Sequence, residues 1–235
     1  MLESRSIDLE AAYPELQRRL QLWPGNNALR LALSGNPRLA CFLAGGAVRN
    51  LFVDPALPIK DLDFFLEGPG LESALQVFAQ HGRLLETPYG SPRWYPEHEP
   101  DRYADLIPIR DFRPGLWQCE DIVDVLNQFD FTASALAYDL RTGAWFNPQN
   151  GLRDIRQKTM RMVRFDYPDE PFIPGASLSR NAILWFRVLH YASVLDFNIE
   201  PITRQWLGDR MIYRDQAEAF SSLFFRPHHN YLDRL

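Results

Sequence analysis

Two cysteines, Cys41 and Cys119, are all that the 235 residues contain. That is too few for a disulfide framework, and Cys41 sits in an apolar run, where a thiol serves as a small core residue. No apolar stretch reaches the roughly 18–20 residues needed to cross a bilayer, and no secretory pattern opens the chain. A cytoplasmic setting without a membrane partner is the expectation. Excess positive charge is missing too. The net charge is −5, so the protein as a whole is not a coat for nucleic-acid phosphates, although a local basic face is compatible with that total. There is no internal repeat and no low-complexity tract, which excludes a solenoid. What is abundant is apolar: 46% hydrophobic residues with six Trp and sixteen Phe. That is enough to core one large domain or one domain with an appendage.

The most informative stretch joins a turn to a pair of acids. The apolar run Ala40 to Ala44 delivers Gly45 and Gly46 to the start of a helix. Glycines there let the backbone approach a ligand, and the free N–H groups of a helix start favour phosphate. Asp61 and Asp63 follow, one residue apart in a strand pattern, so both carboxylates face the same side. Mg²⁺ takes hard oxygen ligands, and a metal site beside phosphate-holding backbone is what nucleotidyl transfer to a hydroxyl requires.

Several blocks, in order, resemble the head of the class II tRNA nucleotidyltransferase and bacterial poly(A) polymerase family, within the polymerase-beta-like nucleotidyltransferase superfamily. Gly45-Gly46-Ala47-Val48-Arg49-Asn50 is similar to its Gly-Gly-x-Val-Arg-Asp turn, and Lys60-Asp61-Leu62-Asp63-Phe64-Phe65 to its Asp-x-Asp strand. Asp130-Phe131-Thr132-Ala133-Ser134-Ala135-Leu136-Ala137-Tyr138 resembles its Arg-Arg-Asp-Phe-Thr-x-Asn-Ala-Leu-Ala-Tyr. Asn147 to Ile155, with Lys158 and Arg161, resembles its Asp-Pro-x-x-Gly-Leu-x-Asp-Leu segment. The likeness covers roughly residues 38–165. It implies an α+β fold, with a mixed or antiparallel-sheet nucleotidyltransferase head followed by a small helical domain. It also implies Mg²⁺ as cofactor, a nucleoside triphosphate as substrate, and RNA or tRNA as partner.

The chain departs from that pattern at Asn50, where the family has Asp, at Gln128-Phe129, where it has paired arginines, and at Ser134, where it has Asn. The family's Glu-Asp-x-x-Arg nucleotide-selecting signature would fall near Arg180-Asn181-Ala182-Ile183-Leu184, and those residues lack it. The catalytic half is kept and the base-reading half is rewritten, so ordered CCA addition is not expected.

Periodicity and breakers give the elements. Residues 8–34 read as one or two helices, with Asn27 as a cap. A strand over 39–44, a helix over 47–53 and a strand over 61–66 enclose the glycine turn. Helices are expected over 71–80, 120–129, 151–164, 178–195 and 201–224. Residues 86–101 read as a loop and 103–109 as a strand, and a hairpin is expected around Arg141-Thr142-Gly143. Tyr167 to Ser177 holds three prolines and a glycine and reads as a linker. That divides a head with N-terminal helices, residues 1–166, from a helical neck-like part, residues 167–235.

The site expected from these patterns comprises Asp61 and Asp63 as metal ligands and catalytic groups, and Asp105 as a third carboxylate. Gly45, Gly46, Arg49, Asp130, Arg180 and Arg187 are the nucleotide-binding residues. Alternatives stand beside several of these. Asp105 also reads as a strand-end turn residue, Arg49 as structural or phosphate-adjacent, and Asp130 as a strand-end anchor or a ribose neighbour. The cationic stretch Arg153, Arg156, Lys158, Arg161 and Arg164 reads as a solvated helix flank or as a wall for triphosphate or RNA. Glu97-His98-Glu99 reads as a solvated acidic loop, and Trp94, Tyr95 and Tyr103 as packing or base-stacking aromatics. The function expected is Mg²⁺-dependent transfer of a nucleoside monophosphate to an acceptor hydroxyl with pyrophosphate release. The alternative is a non-catalytic nucleotide- or RNA-binding module on the same fold. No pattern specifies an oligomeric state.

Overall fold

The computed structural model describes residues 9–57, 59, 61–87, 90–112, 116–171 and 175–235. Lys60, read beside Asp61, lies outside the described residues, as do residues 172–174 of the expected linker. Two N-terminal helices come first, α1 (Leu9–Leu22) and α2 (Asn26–Gly35), each burying one stripe: Ala12, Leu16 and Leu20 on α1, Ala28, Leu29 and Ala32 on α2. Gly25, not Asn27, occupies the N-cap position of α2. Then follow β1 (Ala40–Ala44), α3 (Gly46–Val53), β2 (Asp61–Glu67), α4 (Leu71–Gln80), β3 (Gly82–Glu86), β4 (Pro92–Pro96) and β5 (Tyr103–Pro108). The next elements are α5 (Ile122–Leu126), β6 (Ala137–Asp139), β7 (Trp145–Phe146), α6 (Gly151–Arg156) and β8 (Thr159–Met160). The chain finishes with α7 (Arg180–Val194), β9 (Asn198–Ile199), α8 (Pro201–Gly208) and α9 (Ala217–Leu223).

Seven strands form one mixed sheet in the order β3-β4-β5-β2-β1-β6-β7. Only β2 and β5 run parallel; the other neighbours are antiparallel. The α+β expectation with a mixed sheet is therefore met. Alternation decides which face each residue serves. Leu62, Phe64 and Leu66 of β2 join the main core with α1, α2 and α4, whereas Phe65 packs on the opposite face with Phe42, Ile122, Val125 and Leu126. Asp61 and Asp63 share the Phe65 face. The main core runs without a break from Leu16 through Met160, Tyr167 and Trp185 to Phe220.

Several expected elements are shorter or different. The expected loop over 86–101 contains β4, whose Trp94 is fully buried against Trp23 and Phe78. Proline is tolerated there because Pro92 and Pro96 stand at the ends of the strand. The helix expected over 151–164 stops at Arg156. Lys158 turns left-handed (φ 49°), and the chain then enters β8, which pairs with β9. Ahead of the expected hairpin turn the chain forms a 3-10 turn at Thr132–Ser134 before β6, and the helix expected over 201–224 is interrupted by another at Met211–Gln216. At the Arg141-Thr142-Gly143 turn, the Arg141 guanidinium reaches back to the carbonyls of Leu33, Asn36 and Leu39, joining the turn to the end of α2 and the approach to β1. Among the described residues no helix is long and apolar enough to cross a membrane.

On α7, the His190 ring packs 4.3 Å from Phe225, and its Nδ1 accepts a hydrogen bond from the His228 backbone at 2.9 Å. Burial, aided by His228, Arg187 and Arg49, pushes His190 down from 6.5 to about 4. The neutral ring thus contributes stability that is complete above pH 6.5 and is lost as pH falls toward 4. The stability advantage of the wild type over His190→Gln should shrink by about 2 kcal/mol across that window, after discounting for partial exposure. Denaturant titrations of both proteins at pH 7 and pH 4 measure the difference.

Candidate active site

Strand β1 ends at Ala44, and the chain turns at Gly45 with φ 75°, a conformation that disfavours any side chain. The turn opens α3, whose N-cap makes no side-chain hydrogen bond, so its first-turn N–H groups stay available. The β1–β2 register sets Ala44 opposite Asp63. A Cβ on Gly45 would lie 2.9 Å from Asp63 Oδ2. The glycine and the acid, eighteen positions apart, are one construction.

The parallel β2–β5 pairing puts Asp105 in register with Asp63, and the β4–β5 pairing puts Arg93 in register with Asp105. Asp63, Asp105 and Arg93 therefore form a row across three strands on one face. Arg93 holds Asp105 in a two-pronged ion pair, Nε to Oδ1 at 2.7 Å and Nη2 to Oδ2 at 2.9 Å. The neighbouring row joins Asp61 to Tyr103, whose hydroxyl donates to Asp61 Oδ2 at 3.3 Å. Desolvation first, then the Asp105 and Asp61 charges, push the Asp63 carboxyl up to about 7. A carboxylate so crowded is one whose ionised form a cation would stabilise.

A second cluster lies beside the first. Arg49, 6% exposed, donates from Nη1 to Ser134 Oγ at 3.0 Å and from Nε and Nη2 to Asn50 Oδ1 at 3.1 and 2.9 Å. Its guanidinium stacks 4.9 Å from the Tyr191 ring centroid, and Arg187 lies 5.6 Å from the same ring. Arg187 is paired with Asp130, and although burial opposes its charge most, Asp130, Tyr191 and Asp63 together outweigh it. Arg187 also acts on Asp63 electrostatically, as do Asp61 and Asp63 on Arg49. Arg180 stands at the start of α7, over the Tyr167 ring, whose hydroxyl donates to the Gln128 carbonyl.

The structure thus brings Gly45, Gly46, Asp61, Asp63 and Asp105 together, with Arg49, Asp130 and Arg187 adjoining. The cationic stretch is largely neutralised internally. Arg153 and Arg161 both reach the buried Asp154, which also accepts from Thr132, and Arg164 pairs with Asp166. Trp94 is core, Tyr95 stands 5.5 Å from Tyr103, and Glu97 and His98 are solvent-exposed. Arg93, Tyr103 as the partner of Asp61, and Tyr191 are neighbours that the sequence patterns did not bring forward. Arg93 and Tyr95 alternate with buried Trp94, a period-two signal hidden by the flanking prolines.

Among the described residues no group of three or more His, Cys, Asp or Glu side chains is close enough to hold a metal. With Asp105 taken by Arg93, the available set is Asp61 and Asp63. Mg²⁺ commonly uses one or two carboxylates and completes its shell with water and substrate phosphates, so these residues and the charge-strained Asp63 fit the ion.

No family model matches the chain. A multifunctional CCA protein of Haemophilus ducreyi is 27% identical over 139 residues, 55% of this chain and 32% of that protein. A CCA-adding enzyme of Buchnera aphidicola is 27% identical over 140 residues, 55% and 31% of the two chains. Among solved structures, a Thermotoga maritima CCA-adding enzyme complexed with tRNA matches with TM-score 0.64 at 19% identity, over 88% of this chain and 48% of that one. A tRNA nucleotidyltransferase complexed with a primer tRNA and an incoming ATP analogue matches with TM-score 0.59 at 20% identity, over 85% and 54%. The chain spans about a third of the curated relatives it matches and about half of these structures. The matches bear out the resemblance read from the motifs: the chain is similar in sequence to CCA-adding enzymes over 55% of its length and shares the fold of tRNA nucleotidyltransferases.

Replacing Gly45 by Ala should cost about 1–2 kcal/mol for the backbone conformation alone, and should also displace the Asp63 carboxylate. Stabilisation by Mg²⁺ or Mn²⁺ in thermal melts should be lost. Gly46→Ala, whose Cβ would meet nothing closer than Arg49 Nη2 at 3.5 Å, is the comparison that should keep both. Melts of the two variants with and without metal decide the matter.

Proposed function

We propose that the protein is a Mg²⁺-dependent nucleotidyltransferase that moves a nucleoside monophosphate from a triphosphate to a hydroxyl, with an RNA 3′ end as acceptor. The observation that carries this reading is the Asp61–Asp63 pair held against an uncapped helix start by a glycine that can take no side chain. A metal bound by Asp61 and Asp63 supplies charge stabilisation at the α-phosphate and lowers the pKa of the acceptor hydroxyl. The rest falls to the chain. The first-turn N–H groups of α3 receive phosphate oxygens. Arg49 of α3 and Arg187 of α7 flank the phosphates. Arg93 holds Asp105 oriented next to Asp63 and pairs with its charge, limiting the negative charge a phosphate must face. The hydroxyl displaces pyrophosphate in line, and the fixed dipoles and cations stabilise charge that develops on the leaving oxygens. The division into a head, residues 1–166, and a neck-like part, residues 167–235, belongs to this proposal, with α7 supplying the nucleotide's far wall.

Ordered CCA addition is not part of it. Asn181 is buried and donates to the Tyr167 carbonyl, Ile183 and Leu184 are core, and Arg180 lies over Tyr167. None of these offers the acid–arginine template that the resembling family uses. Reading of the base falls instead to Arg180, Asn181 and Arg187, or is relaxed. The second reading, a binding module, draws on the closed Arg93–Asp105 pair and on Phe129, which packs on Phe65 and Phe112 where the family carries an arginine.

Asp61→Ala and Asp63→Ala should each lower transfer by about 10³-fold or more while the proteins stay folded in thermal melts. The assay offers each labelled NTP with Mg²⁺ and total RNA. Pyrophosphate release abolished by either variant supports the enzyme, and nucleotide-dependent stabilisation without any release supports the binding module. A tRNA lacking its 3′ terminus, offered CTP and ATP together, should not be rebuilt to a complete CCA end. Efficient rebuilding would return the protein to the ordinary activity of its relatives.

A further inference from the structure

Arg93 is delivered to Asp105 by the backbone. The β4–β5 pairing sets the two residues opposite each other on the face that carries Asp61 and Asp63. Trp94, buried in the core on the other face of β4, fixes which way Arg93 points. The ion pair occupies both Asp105 oxygens, at 2.7 and 2.9 Å. It is also sheltered, with 28% of the Arg93 side chain and 20% of the Asp105 side chain exposed. A second contact holds the guanidinium from another direction. It lies 3.9 Å from the centroid of the Tyr103 ring, and the hydroxyl of that ring donates to Asp61. A cation braced by a two-pronged carboxylate and an aromatic face is fixed in place.

Asp63 and Asp105 stand in register on adjacent strands, and neighbouring strands are about 4.8 Å apart. Two-metal transfer sites hold their ions at a similar spacing, about 3.5–4 Å. Asp61, Asp63 and Asp105 together bring three carboxylates to this face. Ionised, they are neutralised in full by one divalent ion and the Arg93 guanidinium. A second divalent ion would have to take Asp105 from its partner and would leave surplus positive charge beside Arg93. We infer that Arg93 is a built-in substitute for a second cation: it holds Asp105 out of metal coordination, so that the site binds one divalent ion, at Asp61 and Asp63, where its three carboxylates would otherwise bind two. The inference rests on the nucleotidyl-transfer reading for the presence of the ion. Arg93 is a positioning residue, acting through Asp105. An Arg93 that only tied β4 to β5 would leave the number of bound ions unchanged when removed.

The experiment titrates Mn²⁺ into the full chain, with and without inorganic tripolyphosphate. Equilibrium dialysis without tripolyphosphate counts the ions. Electron paramagnetic resonance tells a pair, whose spins couple, from a lone ion. The wild type should bind one Mn²⁺ and give an uncoupled spectrum. Arg93→Ala should bind two and give the coupled one. Arg93→Lys, which keeps the charge but not the fork, should stay at one. Arg93→Ala combined with Asp105→Asn should return to one, because Asp105 is the ligand that was released. Thermal melts in metal-free buffer check folding; if Arg93→Ala does not fold, Arg93→Gln, which removes the charge and keeps polar bulk, replaces it. A coupled pair in the wild type, in Arg93→Lys or in the double variant overturns the inference and leaves metal-dependent transfer standing. So does a single ion in both the wild type and the neutral variant. One ion in the wild type and two in the neutral variant, in a protein that transfers no nucleotide to any RNA, sustains the inference and removes the transferase reading. No ion bound by any of them overturns both.

Discussion

The backbone at Gly45 approaches the Asp63 carboxylate so closely that a methyl group there would stand 2.9 Å from Oδ2. The rest of the site is arranged around that approach. It requires the β1–β2 register that sets Ala44 opposite Asp63, and the β2–β5 register that carries the row onward to Asp105 and Arg93. A slip of one residue in either pairing would turn the acids into the core and leave Leu62 and Phe64 in water. The apolar alternation of β2 thus guards the placement of its charges. Phe65 shares a face with Asp63 and is closed over by Phe112 and Phe129, so the carboxylate stands where the aromatic cover ends.

Charge has been redistributed around this frame. Gln128 is buried among Trp117 and Cys119, and Phe129 joins the aromatic cluster, so neither position contributes a cation. The positive groups that remain come from α3 and α7, where Arg49 and Arg187 flank Tyr191. The attraction of each guanidinium to that ring offsets part of their mutual repulsion. The electropositive wall of the site is consequently built from two helices, α3 and α7.

What was legible in the sequence was what depends on local rules. Gly45-Gly46 before an apolar helix and Asp61-x-Asp63 on an alternating strand announce their geometry within a few residues. The four blocks of family resemblance added the long-range order, and the sheet and the gathering of Gly45, Asp61, Asp63 and Asp105 followed. What was not legible depends on contacts far apart in the chain. Strand β4 was hidden because Pro92 and Pro96 are turn signals by composition, and only pairing with β3 and β5 makes the residues between them a strand. The truncation of α6 was hidden because Lys158 takes a left-handed backbone that its side chain does not announce. The cationic run looked available because its acid, Asp154, sits inside it and is drawn inward by Thr132, twenty-two positions earlier.

The clamp at Arg141 has a bearing on metrology. One side chain gathers the carbonyls of Leu33, Asn36 and Leu39, which locates the point at which the chain enters β1. A strand is close to inextensible, at about 3.3 Å per residue, so β1 acts as a gauge block of five residues. Its far end is where the glycines stand. The hairpin turn therefore serves as the datum from which the position of the glycine turn is measured, and an error of placement there would reach Gly45 undiminished.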